Sequence, residues 1–254
     1  MAGPYTNEGL MQDEVGQPHI LALGDSWFWY PANNLLIPIW NLWAGNKVVL
    51  AQGFAGAKAV QLASGNTFAS FRSSLRSYSR IEAVLLSAGG NDFAGTDDML
   101  RILRPDCSAT ASGPDCFDPD KITEVLFGEV LDAYRRMIDA VLELRPAALV
   151  YVHNYDYAIP TGKGIFGFGG WLKIPLSMVH VPEDVQPPAV NFLIDTFSDV
   201  LVQVQREYAS HVLFVDTTGV LARTDWANEL HPKMAGFNKL VAQAWQQPLL
   251  DNLP

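Results

Sequence analysis

Five short apolar runs recur along the chain, at 19–27 (HILALGDSW), 47–54 (KVVLAQGF), 81–90 (IEAVLLSAGG), 147–155 (AALVYVHNY) and 211–219 (HVLFVDTTG). They are rich in Val, Leu and Ile and show little polar alternation, the pattern of strands buried on both faces. Between them, apolar positions recur at helical spacing. The pattern predicts helices over 33–43, over 57–78 with a break at Ser64-Gly65-Asn66, over 119–144, over 188–208 and over 232–246. Strand–helix alternation of this kind predicts an α/β fold: a three-layer α/β/α doubly wound sandwich of about five mostly parallel strands. In such sheets, sites form at the carboxyl ends of the strands.

Two segments depart from the alternation, at about 94–119 and 159–187. They read as loops inserted into a single domain over 19–254, preceded by an N-terminal extension over 1–18. Irregular insertions this long are usually functional or disordered. The second interleaves glycines with Phe166, Phe168 and Trp171. It reads either as a mobile flap with an apolar face or as a surface loop that tucks its aromatics into the core. The first holds both cysteines, Cys107 and Cys116. A disulfide stapling that loop is slightly favoured over a pair of free thiols, and would imply an oxidising compartment. Two thiols with no nearby histidine do not make a zinc site.

Composition narrows the partners. Of 254 residues, 49% are hydrophobic and 17% charged, enough for a large core. A net charge of −10 without a basic run disfavours nucleic acid. No run is long and apolar enough to span a bilayer. The N-terminal stretch lacks the basic start and apolar middle of a signal peptide, which leaves the compartment open between the cytoplasm and export with the leader absent. The oligomeric state is equally open.

The chemistry-bearing residues cluster where the runs end. The first closes on Gly24-Asp25-Ser26-Trp27, the second on Gly53-Phe54-Ala55-Gly56, and the third on Gly89-Gly90-Asn91-Asp92. Asn228-Glu229-Leu230-His231-Pro232 precedes the last helix. Taken singly, each has a plainer reading. Ser26 can cap a helix, Gly56 can serve a tight turn, Asn91 can be a turn residue, and His231 can be structural.

Taken together and in order, GDSW, the Gly56 segment, GGND and NELHP resemble the four motif blocks of the SGNH (GDSL-like) hydrolases, esterases and lipases that use a serine nucleophile. The blocks run from residue 24 to residue 231. The resemblance implies the flavodoxin-like version of the sandwich and acyl transfer without a metal or organic cofactor. It implies Ser26 as nucleophile, His231 as its base, and an oxyanion hole from the Ser26 N–H, the Gly56 N–H and the Asn91 side chain. One position departs from the pattern. The family's acid, three residues before the histidine, is replaced by Asn228. Asp225 curling back is the favoured substitute; a dyad completed by Asn228 or a backbone carbonyl, or a slow enzyme, is the alternative, and Glu229 is expected to point elsewhere.

Aromatics after Ser26 suit an acyl chain or a sugar ring. Trp27, His153, Tyr155, Phe168 and Trp171 are the candidate substrate contacts. A small-molecule or lipid ester is the expected substrate. A carbohydrate O-acetylesterase and a non-catalytic binding module that retains the fold are the competing functions.

Overall fold

The computed structural model describes residues 3–30, 33–167 and 169–253. Each apolar run contains one strand: β1 (Ile20–Gly24), β2 (Val49–Gly53), β3 (Ala83–Ser87), β4 (Leu149–His153) and β5 (Val212–Val215). They form one all-parallel sheet in the order β2-β1-β3-β4-β5. The order reverses between β1 and β3, which opens a crevice at their carboxyl ends. Register sharpens this point. Gly24 pairs with Gly53 on one side and Ser87 on the other, so three strands end on one line.

Both faces of the sheet are covered by helices. Gly65–Ser77, Leu131–Leu144 and Gln186–Glu207 pack in sequence on one side. On the other, Leu36–Asn41 packs against the C-terminal helical run that starts at Met234. Trp245 of that run meets Tyr151 and His153 of β4. Side chains alternate across a strand, so Val150 and Val152 face the opposite layer. β1 and β3 are buried at every position, as runs without polar alternation require.

Helix ends follow local chemistry. Ser64 and Gly65 interrupt the predicted 57–78 helix, giving Ala59–Leu62 and Gly65–Ser77. The predicted 119–144 helix is one winding run whose middle, Thr123–Val130, is π-helical. The first residues also carry structure. Glu8–Val15 is helical, and Tyr5 exchanges backbone hydrogen bonds with Val49 and Ala51 of the edge strand. No helix among the described residues is long and apolar enough to cross a membrane.

The favoured disulfide is absent. Cys107 and Cys116 are buried free thiols, and Cys107 Sγ donates to the Cys116 carbonyl at 3.4 Å. Burial pushes the Cys116 thiol up to about 11, which leaves it protonated and unreactive at neutral pH.

Candidate active site

β1 delivers Asp25 and Ser26 to the crevice. Asp25 caps the short helix Ser26–Trp29, accepting from the Trp27 N–H at 3.0 Å. Close strand approach makes this possible. A Cβ on Gly53 would lie 2.0 Å from the Gly24 carbonyl oxygen, so β2 must end in glycine here. Its φ of +115° also suits glycine.

Asp25 is buried and acts as a hub. Its Oδ1 also accepts from Ser87 Oγ at 2.9 Å, and its Oδ2 from the Tyr155 hydroxyl at 2.6 Å. The Asn91 amide reaches Oδ2 at 3.4 Å and the Ala57 carbonyl at 3.0 Å. Burial lifts the Asp25 carboxyl to about 6 despite these donors. One carboxylate thus joins the loops after β1, β3 and β4, and Asn91 extends the link to the Gly56 turn.

The loop before the last helix brings His231 to Ser26. Trp27 Nε1 donates to the Leu230 carbonyl at 2.9 Å, and Asn33 Nδ2 to the Pro232 carbonyl at 2.6 Å. His231 Nε2 then lies 2.8 Å from Ser26 Oγ. On the other side of the ring, Nδ1 lies 3.0 Å from Asn228 Oδ1. The same oxygen accepts from the Leu230 and His231 backbone N–H groups, so it is the amide oxygen that faces the ring. An acceptor at Nδ1 places the proton there and leaves Nε2 free to take the proton of Ser26. Tyr30 stacks on the imidazole at 4.3 Å between centroids, and Trp171 meets it edge-on at 5.8 Å. Burial lowers the His231 pKa to about 4.

Asp225 does not curl back to the histidine. Its carboxylate is taken by Lys239 Nζ at 2.6 Å and the Ala222 N–H at 2.9 Å. Lys239 stands on the helix Met234–Leu240, and an ion pair there outcompetes a reach toward a neutral ring. Asn228 is the group that meets Nδ1.

The expected oxyanion donors fall into two groups. Asn91 lines the same cleft as Ser26. The Ser26 and Gly56 N–H groups have no hydrogen-bond partner among the described residues. Gly56 is exposed and adopts φ +81° in its turn.

A narrow cleft leads away from Ser26. Leu172, Val190, Leu193, Ile194, Trp226 and Leu230 form much of its wall. Among the described residues, no Lys or Arg lines it. Trp27 and Tyr155 line it as expected. His153 does not: it is wholly buried below Trp27, between Phe28 and Trp245. As the last residue of β4 it points into the layer of the C-terminal helices. Trp171 covers the imidazole and is not part of the cleft wall. Phe168 lies outside the described residues.

Two residues have structural roles that the sequence does not reveal. Asp25 sits beside Ser26 in the first motif, and that adjacency was the available signal. Glu229, inside the last motif, is fully buried and binds backbone N–H groups of the 159–187 insertion. No sequence signal marks it.

The five-stranded parallel sheet with helices on both sides matches the α/β fold of solved lipases and carbohydrate esterases. Among solved structures, phospholipase A1 from Streptomyces albidoflavus NA297 is similar with a TM-score of 0.57 and 15% identity, over 93% of this chain and 99% of that one. An extracellular lipase from Streptomyces rimosus is similar with a TM-score of 0.54 and 16% identity, over 89% and 98%. A family 3 carbohydrate esterase from Clostridium thermocellum is similar with a TM-score of 0.53 and 14% identity, over 92% and 96%. Neither a scan against models of protein families nor a search of curated proteins finds a match.

Proposed function

We propose that the chain is a serine ester hydrolase acting on neutral esters of aliphatic acids through an acyl-enzyme on Ser26. The observation that carries this reading is the relay Ser26 Oγ–His231 Nε2–Asn228 Oδ1, with spans of 2.8 and 3.0 Å, at the end of an apolar cleft. In the first step His231 Nε2 takes the Ser26 proton as Oγ attacks the ester carbonyl carbon. The negative charge that develops on the carbonyl oxygen is met by the Ser26 and Gly56 N–H groups, and by the Asn91 amide as it turns from its long 3.4 Å contact with Asp25 Oδ2. Collapse breaks the bond to the alcohol, which leaves with the proton from Nε2. Water, deprotonated by the same nitrogen, then attacks the acyl carbon and releases the acid and Ser26.

Two features of the cleft support an aliphatic acyl group. Its wall is mostly aliphatic and aromatic, with Asp25, Ser26, Asn91 and Asp156 as its polar members, which favours burial of a hydrocarbon chain. It has no lysine or arginine among the described residues to meet an anionic substrate. Solved neighbours that act on lipids are consistent with this.

The test is labelling by a fluorophosphonate together with release of nitrophenol from acyl esters. Wild-type protein should give both, and Ser26→Ala and His231→Ala neither. Labelling that survives Ser26→Ala would sink the assignment. Turnover confined to acetylated sugars would favour the carbohydrate esterase.

A further inference from the structure

The insertion at 159–187 is fastened to the histidine loop by one carboxylate. Glu229 is wholly buried, and no Lys or Arg among the described residues pairs with it. Its charge is met by backbone donors instead. Oε1 accepts from the Gly162 N–H at 2.6 Å and the Lys173 N–H at 3.1 Å, and Oε2 from the Leu172 N–H at 2.8 Å. Its own N–H donates to the Lys163 carbonyl at 3.0 Å. The donors come from both ends of the excursion 162–173, so the carboxylate closes it like a clasp. The fit is close: a Cβ on Gly170 would lie 2.5 Å from Oε2.

The clasp holds two residues that matter. Leu172 forms part of the cleft wall, and its neighbour Trp171 covers the imidazole of His231. The Trp171 carbonyl accepts from the Gly95 N–H at 3.2 Å, which ties the same segment to the loop after β3. Glu229 itself is two residues from His231 and touches no reacting atom.

Building on the ester-hydrolase reading, we infer that Glu229 is a positioning residue that fixes Leu172 and Trp171, and through them sets the preference for longer acyl chains. A buried carboxylate is suited to this role because losing its acceptors strands three backbone N–H groups at once. The Gln side chain keeps one acceptor oxygen but turns an NH2 toward a donor, so Glu229→Gln loosens the segment without changing side-chain volume.

The experiment compares octanoate and acetate nitrophenyl esters in wild-type protein, Glu229→Gln, Leu172→Ala, the double variant and Gly170→Ala. Fluorophosphonate labelling of Ser26 comes first. A wild-type protein that does not label fails the hydrolase reading itself, separately from the clasp. With labelling in hand, Glu229→Gln should lower the octanoate-to-acetate ratio of kcat/KM roughly tenfold, what the burial of about two methylenes is worth. The loss should lie in KM for octanoate. Leu172→Ala should lower the same ratio, and the double variant should fall no further than the larger single effect. With Trp171 loosened, water reaches the imidazole, and the acid limb of the kcat/KM profile should move to higher pH. Gly170→Ala leaves the carboxylate in place but presses on Oε2 at 2.5 Å and on the Gly162 backbone at 2.7 Å; straining the same clasp from within, it should shift the ratio in the same direction and stands in if Glu229→Gln does not fold. An unchanged ratio in either folded variant, or effects of Glu229→Gln and Leu172→Ala that multiply, would overturn the inference.

Discussion

Asn228 Oδ1 faces His231 Nδ1 at 3.0 Å, where a carboxylate stands in the family pattern. The amide fixes the tautomer and orientation of the ring but adds no negative charge to stabilise an imidazolium. Asn228→Asp would retain the acceptor geometry and supply the charge. It should raise the His231 pKa by roughly 1–3 units and increase turnover. Asn228→Ala removes the acceptor and should lower kcat by about tenfold or more, as orienting groups in such relays do. Steady-state kinetics on a nitrophenyl ester measure both. A slower Asn228→Asp enzyme would mean that the charge is not what the relay lacks.

The pH profile follows from the same pair. Burial holds the His231 pKa near 4, well below the ordinary 6.5. The neutral, basic form therefore persists well into acid. The kcat/KM of wild-type protein for a neutral ester should stay level below pH 6 and fall with an apparent pKa near 4. In Asn228→Asp the limb should move upward. A wild-type limb near 6.5 would contradict the burial of the ring.

Stability in acid is set by buried groups with opposite slopes. His153 and His231 both have folded pKa values of about 4, so the unfolded chain protonates first and stability is lost as pH falls from 6.5 to 4. Asp25 and Asp92 behave in reverse. Burial raises them to about 6 and about 7, so the folded chain holds their protons first and stability is lost as pH rises from 3.8 through those values. The slopes oppose one another, and the Tm of wild-type protein should change little between pH 4 and 6.5. The ring Nε2 of His153 is buried without a partner among the described residues. His153→Phe removes one acid-sensitive group and should gain roughly 3 kcal/mol on wild type between pH 6.5 and 4. Urea unfolding at both pH values tests this; equal differences at the two would refute it.

Gly53→Ala is expected to be severe. The added methyl would meet the Gly24 carbonyl oxygen at 2.0 Å, in a backbone conformation that L side chains rarely adopt. Strain alone costs about 1–3 kcal/mol, and separating β1 from β2 adds to it. The variant should show a lower urea midpoint and weaker labelling of Ser26. Wild-type stability in Gly53→Ala would mean that the two strand ends can part freely.

Most of the architecture could be read from the chain. Strands buried on both faces announce themselves as unbroken apolar runs, and all five lie where those runs fall. The residues at their carboxyl ends could be read as a set because a parallel sheet gathers those ends. What could not be read depended on contacts far apart in sequence. Asp225 and Asn228 both stand within reach of His231 along the chain, and only the place of Lys239 on the following helix decides where the Asp225 carboxylate goes. His153 ends a strand as Ser87 does, yet Trp27, Phe28 and Trp245 close around its ring and keep it from the cleft. Among the described residues the Glu229 carboxylate binds only backbone N–H groups, which carry no residue identity and so leave no trace in the sequence.

The Asp25 hub also bears on how such a protein can change over time. Because the side chains of Ser87, Asn91 and Tyr155 all lean on one carboxylate, a substitution at any of them disturbs the support of Ser26 and is hard to tolerate alone. New selectivities therefore have to be drafted in the peripheral insertions, where residues such as Leu172 can be exchanged while the central wiring stays as it is.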